Sequence, residues 1–378
     1  MSKNSEKITS YSSQFIDKKD IKSVKDVLES KYLTQGPIVP KFEKLLSKYC
    51  NTKYAVALNS ATSALHVACL ALGLKKGDYL WTTPISFVAS SNCGLYCGAK
   101  IDFVDIDIKT FNLDLNLLEK KLKISKKKPK IIVPVHLGGS PCDLKKLNQL
   151  KKKYGFKIIE DASHAIGAKY YSSKIGSCKY SDVAIFSFHP VKIITSGEGG
   201  AALCRDKKIY ELMKSYSSHG IIKQPKNLKM IYNQKYLGFN YRLSDIHASL
   251  GISQLLKINN FISNRNKIAK YYIDQIEKKK IKINYQKVLK GCLSSYHLFI
   301  ILTKNKLRLL KILKKNNFYT PTHYMPIYSH SFYKKFKFNK KNFLNSEKYY
   351  KEAISIPIYF GLSKKKLDKI INLICTYA

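Results

Sequence analysis

The stretch Tyr54-Ala55-Val56-Ala57-Leu58-Asn59-Ser60-Ala61-Thr62-Ser63 joins a short apolar run, typical of a buried strand, to small polar residues that begin helices. The same alternation continues to about Arg205. The further apolar runs with the length of strands are Tyr79–Thr83, Ile101–Val104, Ile131–Val135, Lys157–Glu160, Val183–Phe186 and Ala201–Cys204. Helical segments such as Asp143–Lys153 separate several of them. Strands that alternate with helices predict an α/β fold with a mostly parallel sheet covered on both faces.

The pattern changes after Arg242. The segment Ser244–Tyr272 predicts one or two long helices, with Ser244 as the N-cap. The remainder, from about Lys280 to Ala378, predicts a smaller α/β domain, whose clearest elements are the strand His297–Leu302 and the helices Leu307–Asn316 and Ser363–Cys375. We therefore expect an N-terminal segment and a large domain over residues 1–250, and the long helix with a small domain over residues 251–378.

The charge of the chain is strongly positive. Its 378 residues include 68 Lys and Arg against 25 Asp and Glu, a net charge of +43. Only four of the basic residues are Arg, and the lysines are spread along the whole chain. A protein that binds nucleic acid is expected to use more Arg for bidentate contacts. The composition therefore indicates solvated lysine-rich surfaces rather than a nucleic-acid binder, which is kept as a remote alternative.

The nine cysteines are scattered and include no Cys-x-x-Cys pair, so we expect no metal site. Free thiols in this number are typical of a reducing compartment. The N-terminal residues lack the apolar core of a signal peptide, and no apolar run approaches the ~18–20 residues of a membrane span. We expect a cytoplasmic protein that does not enter the membrane.

Two polar segments follow predicted strands. In Asn59–Leu65, small hydroxyl residues at a helix start would turn backbone N–H groups toward an anion, usually a phosphate, although an ordinary N-cap has the same pattern. In Glu160–His164, Asp161 would point into the crevice where such sheets bind ligands. It could be a metal ligand, a general base, a partner for a protonated ring nitrogen, or only the cap of the next helix.

Lys192 differs from most other lysines because its neighbours Val191, Ile193 and Ile194 are apolar. An apolar setting lowers the pKa of a lysine, which a Schiff-base nucleophile requires. A lysine that extends beside a strand end toward water would have the same neighbours. Farther along, Gly238–Arg242 contains one of the four arginines, in a position for an anion contact or for a salt bridge between helices.

Together these segments match the needs of pyridoxal phosphate. Asp161 would keep the pyridine nitrogen protonated, so that the ring acts as an electron sink. Lys192 would form the covalent link to the cofactor aldehyde, and the helix start at Asn59–Leu65 would hold the phosphate. The sequence therefore predicts a pyridoxal phosphate enzyme.

The sequence resembles the DegT/DnrJ family of sugar aminotransferases from about Tyr11 to the C-terminus. The motifs that carry the resemblance are Asn59–Leu65, Thr82–Ala89, Glu160–His164, Phe186–Gly200, Ser218–Gly220 and Gly238–Arg242. The resemblance implies a PLP-dependent transferase of fold type I, and a homodimer with active sites at the subunit interface. It also implies transfer of an amino group from L-glutamate to the 4-keto group of a UDP-sugar. Another keto nucleotide sugar, or reaction at C3, stays an alternative. A dehydratase function is disfavoured, because the dehydratases related to this family carry His at the position of Lys192.

The resemblance also implies roles for individual residues. Lys192 and Asp161 would be catalytic, Phe87 would stack on the pyridine ring and His164 would lie beside the cofactor. The residues expected to hold the phosphate are Ala61, Thr62 and Ser187, with Asn240 reaching across from the other subunit. Of these, Ala61, Ser187 and Asn240 would contact the substrate as well. The further residues expected to meet the nucleotide sugar are Tyr11, Lys31, Tyr32, Leu33, Thr34, Pro321, Thr322, His323 and Tyr324.

Overall fold

A computed structural model describes residues 8–226 and 229–378. In these residues the strands are β1 (Thr9–Ser10), β2 (Tyr54–Leu58), β3 (Tyr79–Thr82), β4 (Lys100–Phe103), β5 (Ile131–Val133), β6 (Lys157–Asp161), β7 (Lys169–Tyr170), β8 (Ser173–Lys174), β9 (Val183–Ser187), β10 (Gly200–Cys204), β11 (Ile221–Lys226), β12 (Lys229–Gln234), β13 (Asn284–Tyr285), β14 (Cys292–Leu293), β15 (Phe299–Leu302), β16 (Phe318–Tyr319) and β17 (Ala353–Ile356).

The α-helices of the described residues are α1 (Lys18–Leu28), α2 (Ile38–Cys50), α3 (Ala61–Ala71), α4 (Ala89–Tyr96), α5 (Leu115–Ile124), α6 (Leu144–Tyr154), α7 (Lys207–Ser217), α8 (Asp245–Leu256), α9 (Ile258–Lys278), α10 (Lys306–Lys315), α11 (Leu344–Glu352) and α12 (Lys364–Tyr377). None of them is long and apolar enough to cross a lipid bilayer.

A seven-stranded sheet forms the centre of the molecule, in the order β2-β10-β9-β6-β5-β3-β4. The pairs β9/β6, β6/β5, β5/β3 and β3/β4 are parallel, and β10 runs antiparallel to both of its neighbours. Separate apolar clusters cover its two faces, one around Phe42 and Phe186 and the other around Leu65 and Ile159. The expected α/β fold with a mostly parallel sheet is confirmed.

The seven strands predicted between Tyr54 and Cys204 all lie in this sheet, with ends that differ by two residues at most. The run Ile131–Val135 ends as a strand at Val133, because Pro134 has no N–H group to donate to a neighbouring strand. The long predicted helix is divided into α8 and α9, and Ser244 caps α8 by accepting a hydrogen bond from the backbone N–H of His247 at 3.3 Å.

A three-stranded antiparallel sheet, β13-β15-β17, packs with α9, α10 and α12 around a separate apolar cluster. Helix α9 contributes Phe261 and Ile262 to the core of the large sheet, but Ile268 and Tyr272 to this second cluster. The expected boundary at residues 250/251 lies inside α8. Strand β1, which we expected in the large domain, pairs with β16 of the C-terminal part. The division into two domains stays a prediction.

Helix α1 is fixed to α8 by the carboxylate of Asp20, which is fully buried. It accepts hydrogen bonds from Ser253 Oγ at 2.6 Å, Gln254 Nε2 at 2.9 Å and Lys257 Nζ at 2.5 Å. A buried acceptor with several donors stabilises the packing, because without it Ser253 loses this partner and Gln254 and Lys257 each lose one of two acceptors.

We expect Asp20→Ala to lower the free energy of unfolding by about 2 kcal/mol, because the Lys257 ammonium loses its buried partner and keeps only the more exposed carboxylate of Asp17, 3.0 Å away. Denaturant unfolding followed by circular dichroism measures the change. The control is Asp26→Ala on the same helix, which removes an exposed ion pair with Lys22 and should change little. Equal stabilities of the two variants would contradict this account of Asp20.

Candidate active site

A cavity of about 310 Å³ opens at the carboxyl ends of β2, β6 and β9. This volume is at the lower end of the ~300–1,000 Å³ range of small-molecule sites. The predicted site residues that line it are Tyr11, Ala61, Thr62, Phe87, Asp161, His164, Ser187, Lys192, His323 and Tyr324. The structure therefore brings together residues that lie as far apart in sequence as Tyr11 and Tyr324.

Lys192 lies in the turn that follows β9, where its backbone N–H donates to the carbonyl of His189 at 2.9 Å. Burial lowers the pKa of its amine to about 8, while the nearby carboxylate of Asp161 acts in the opposite direction. The apolar neighbours from which we predicted this shift include Ile193 and Ile194, which belong to the buried core. An amine with this pKa is partly uncharged near neutral pH, so it can act as a nucleophile.

Asp161 ends β6, next to β9 in the sheet, and its carboxylate is held by two hydrogen bonds. Ser90 Oγ donates to one oxygen at 2.6 Å, and the backbone N–H of Ser163 donates to the other at 3.1 Å. Ser90 in turn lies 2.6 Å from Ser86 Oγ. We did not predict Ser90 as a site residue; the only signal in the sequence is its spacing of four residues from Ser86 at a helix start.

The start of α3 offers a place for an anion beside these two residues. Ser60 is the N-cap and accepts from the backbone N–H of Ser63 at 3.1 Å, while Ala61 and Thr62 line the cavity. Strand β10 passes so close that a Cβ atom at Gly200 would lie 2.4 Å from the Ala61 nitrogen. Glycine at this position therefore allows the start of α3 to reach the cavity. The backbone N–H groups of this first helical turn favour a negative charge there.

Aromatic rings and histidines form the remaining walls. The ring of Phe87 is 58% exposed and is available to cover a flat ligand. Burial and the neighbouring Lys192 hold the pKa of His164 well below its ordinary value, so this imidazole is neutral. His297 also lines the cavity, with its ring centroid 4.4 Å from that of His164. We predicted His297 only as the first residue of a strand, and nothing in the sequence marked it as part of the site.

Several predicted substrate contacts lie outside the lining of this cavity. Lys31, Tyr32, Leu33 and Thr34 are exposed, as is Asn240. Pro321 and Thr322 are half-buried, and Thr322 Oγ1 donates to the carbonyl of Ala353 at 2.9 Å. Their assignment to the substrate stays a prediction. No cluster of three or more His, Cys, Asp or Glu side chains suited to a metal ion occurs among the described residues.

The chain belongs to the DegT/DnrJ/EryC1/StrS aminotransferase family, whose model matches residues 14–375. It is 39% identical over 368 residues to the UDP-4-amino-4,6-dideoxy-N-acetyl-beta-L-altrosamine transaminase of Campylobacter jejuni subsp. jejuni strain 81-176, covering 94% of this chain and 93% of that protein.

Solved structures of sugar aminotransferases have the same fold. Helicobacter pylori PseC, an aminotransferase involved in the biosynthesis of pseudoaminic acid, matches with a TM-score of 0.91 and 32% identity, covering 98% of this chain and 99% of that chain. The PMP-form of the putative sugar aminotransferase Spr1654 from Streptococcus pneumoniae matches with a TM-score of 0.89 and 28% identity, covering 97% and 98%.

The chain is therefore a sugar aminotransferase of fold type I, and its cofactor is pyridoxal phosphate. The residues of the cavity fit this group. A lysine with a lowered pKa, a fixed carboxylate and a helix N-terminus surround one space, and these meet the needs of an aldehyde, a ring nitrogen and a phosphate.

The lowered pKa of Lys192 predicts how the apoenzyme takes up its cofactor. Because only the neutral amine attacks an aldehyde, the rate of reconstitution with pyridoxal phosphate should rise with pH, be half-maximal near pH 8, and then level off. An ordinary lysine would be half-neutral only near pH ~10.4. Stopped-flow absorbance of the cofactor measures the rate.

Two variants serve as controls for this pH profile. Lys192→Ala should abolish the absorbance change. Lys306→Met removes a different amine whose pKa burial also lowers to about 8, but which lies outside the cavity, and it should leave the profile unchanged. A wild-type rate that keeps rising toward pH 10 would show that the Lys192 amine is not held neutral.

Proposed function

We propose that the enzyme transfers the amino group of L-glutamate to C4 of a UDP-linked 4-keto-6-deoxy-N-acetylhexosamine, giving UDP-4-amino-4,6-dideoxy-N-acetyl-β-L-altrosamine for pseudaminic acid biosynthesis. The names of the relatives from Campylobacter jejuni and Helicobacter pylori support this substrate. The observation that carries the proposal is the position of Lys192, a lysine of lowered pKa in the same cavity as Asp161 and the start of α3. A 3-keto or a different 4-keto nucleotide sugar is the alternative.

Lys192 has two tasks in this reaction. When bound, pyridoxal phosphate supplies an aldehyde that accepts the amino group and a protonated ring that takes up electrons as Cα loses its proton. In the resting enzyme Lys192 holds the cofactor through its Nζ atom. Once an amino donor has displaced it, the free amine moves the proton from Cα of the donor toward the cofactor, as base and then as acid. A pKa near 8 suits both directions of this transfer, because neither form of the amine is scarce near neutral pH.

Asp161 and the helix start position the cofactor in this proposal. The two hydrogen bonds from Ser90 and Ser163 leave the Asp161 carboxylate with free lone pairs for a protonated ring nitrogen. Ala61 and Thr62 offer the N–H groups of the helix start to the phosphate, and Ser187, at the end of β9, is expected to join them. Together these residues would hold the cofactor in the cavity that Lys192 also lines.

We propose that a second copy of the chain completes the site. The segment Lys31–Thr34 contacts the chain four residues after Asn240, because Thr34 bridges to Ser244 and the backbone N–H of Asp245 donates to the carbonyl of Leu33 at 2.9 Å. Tyr32 and Leu33 are each 47% exposed on this surface. A homodimer that covers this surface would bring Asn240 and Lys31–Thr34 toward the cavity of the partner subunit.

The amino-transfer assay tests the proposed substrate. With L-glutamate and the UDP-linked 4-keto-6-deoxy-N-acetylhexosamine, the wild type should give a 4-amino sugar, identified by mass and by NMR of the C4 configuration. Lys192→Ala should give none, and Asp161→Asn should slow turnover about 100-fold or more, because the ring nitrogen loses its negative partner. Turnover only with other keto sugars would refute the substrate, and a fully active Lys192→Ala would refute the mechanism.

Mixing two inactive variants tests the shared site. Lys192→Ala keeps Asn240, and Asn240→Ala keeps Lys192, so a mixed dimer holds one site with both residues intact if Asn240 acts across the interface. Random mixing after mild dissociation should restore about a quarter of wild-type activity, since half of the dimers are mixed and each has one working site. No recovery in dimers shown to be mixed would mean that Asn240 does not serve the partner subunit.

A further inference from the structure

Tyr324 forms part of the cavity wall that faces Lys192. Its ring centroid lies 5.0 Å from that of His323, 6.1 Å from His164 and 6.2 Å from Phe87. The contact with His164 includes the Tyr324 hydroxyl, which lies 3.1 Å from His164 Nε2. Which of these two groups donates the proton decides what the hydroxyl can do in the cavity.

The protonation of His164 is fixed by a backbone contact. The N–H of Gly138 points at His164 Nδ1 across 3.3 Å. A backbone N–H can only donate, so Nδ1 accepts and carries no proton. Burial and the nearby Lys192 hold the pKa of His164 well below its ordinary value, so the ring is not doubly protonated. The single imidazole proton therefore lies on Nε2.

The Tyr324 hydroxyl is consequently an acceptor toward His164 and keeps its own proton for another partner. Among the described residues, the hydroxyl makes its hydrogen-bond contact with His164, so its own O–H is left to point into the cavity. Burial raises the pKa of Tyr324 well above its ordinary value, which keeps the phenol protonated. The chain from Gly138 through His164 to Tyr324 also polarises the phenol, since consecutive hydrogen bonds strengthen one another.

We propose that Tyr324 is a catalytic residue that donates this hydrogen bond to the keto oxygen of the nucleotide sugar, with His164 as the positioning residue that orients it. The inference rests on the proposed function, because it requires a keto sugar as the second substrate. A neutral donor of one hydrogen bond suits a carbonyl oxygen, whereas carboxylates are bound best by cationic groups. Burial also lowers the pKa of His297 and His323, two further imidazoles of the cavity, and keeps them neutral.

The hydrogen bond gains strength during the step in which nitrogen is transferred to the sugar. As C4 of the sugar takes up the nitrogen, the π electron pair of the carbonyl would move to the oxygen, and the Tyr324 O–H would stabilise the charge that develops there. Tyr324 keeps its proton. The oxygen leaves as water with the two protons that the nitrogen gives up, which the Lys192 amine carries across. The loss of visible absorbance in the first half-reaction reports the proton transfer at Cα, which needs no donor to a carbonyl oxygen, whereas its return in the second half-reaction requires this step.

Tyr324→Phe tests the proposal because it removes only the hydroxyl. Single turnovers of the holoenzyme separate the halves of the reaction. Loss of the cofactor's visible absorbance after addition of L-glutamate should stay within about twofold of wild type, while its return after addition of the keto sugar should slow about 100-fold. The control is Tyr328→Phe, which removes a tyrosine hydroxyl bound to Glu347 outside the cavity, and both halves should then match wild type.

Other outcomes would overturn the assignment. If Tyr324→Phe slows both halves equally and shifts the resting absorbance, the hydroxyl contacts the cofactor; if it slows neither half, the hydroxyl has no catalytic role. Failure of the proposed substrate is distinguishable, because the wild type would then react with a different keto sugar, and the comparison is made with that sugar.

A second measurement tests the His164 tautomer and needs no sugar. In ¹⁵N NMR of histidine-labelled holoenzyme, the His164 signals are those that His164→Gln lacks, and they should show a protonated Nε2. A protonated Nδ1 would refute the relay.

Discussion

The environment of the Lys192 amine constrains how the rest of the site is built. Burial lowers the pKa of this amine and the Asp161 carboxylate raises it, and the balance near 8 depends on their separation. That separation is set by the sheet, where β6 and β9 are adjacent and parallel and Asp161 is in register with Ile185. Their carboxyl ends therefore meet at one edge. An antiparallel pair would place the carboxylate and the amine at opposite ends of the strands.

Residues that follow directly from local patterns could be predicted from the sequence. The strands of the large sheet are mostly apolar because both of its faces are covered, and each apolar run can be recognised in the sequence without knowledge of the others. Asp161 and Lys192 could be found because each follows such a strand, and the rule that ligands bind at strand ends needs no knowledge of side-chain packing. The same holds for Ser244, whose capping role depends only on the start of the next helix.

Residues whose role depends on contacts between distant segments could not be predicted in the same way. Ser90 reaches Asp161 across 71 positions of the chain, and His297 meets His164 only because β15 packs near the large sheet. The sequence likewise says nothing about the tautomer of His164, which a single N–H from Gly138 decides. For Asn240 the resemblance implies a contact with the cavity of a partner subunit. A single copy of the chain does not contain this contact, because Asn240 is exposed and lies outside the lining of its own cavity.

The burial that makes Lys192 reactive also has a cost in stability. With its pKa lowered to about 8, the folded chain releases a proton that the unfolded chain keeps up to pH ~10.4. The contribution of Lys192 to the free energy of unfolding therefore rises with pH between those two values. Below both values, the buried charged amine lowers the free energy of unfolding by about 3 kcal/mol. A cofactor that binds only the folded chain offsets this cost by mass action. Reactivity of the amine and dependence of the fold on its cofactor thus have one physical origin, the low polarity around Lys192.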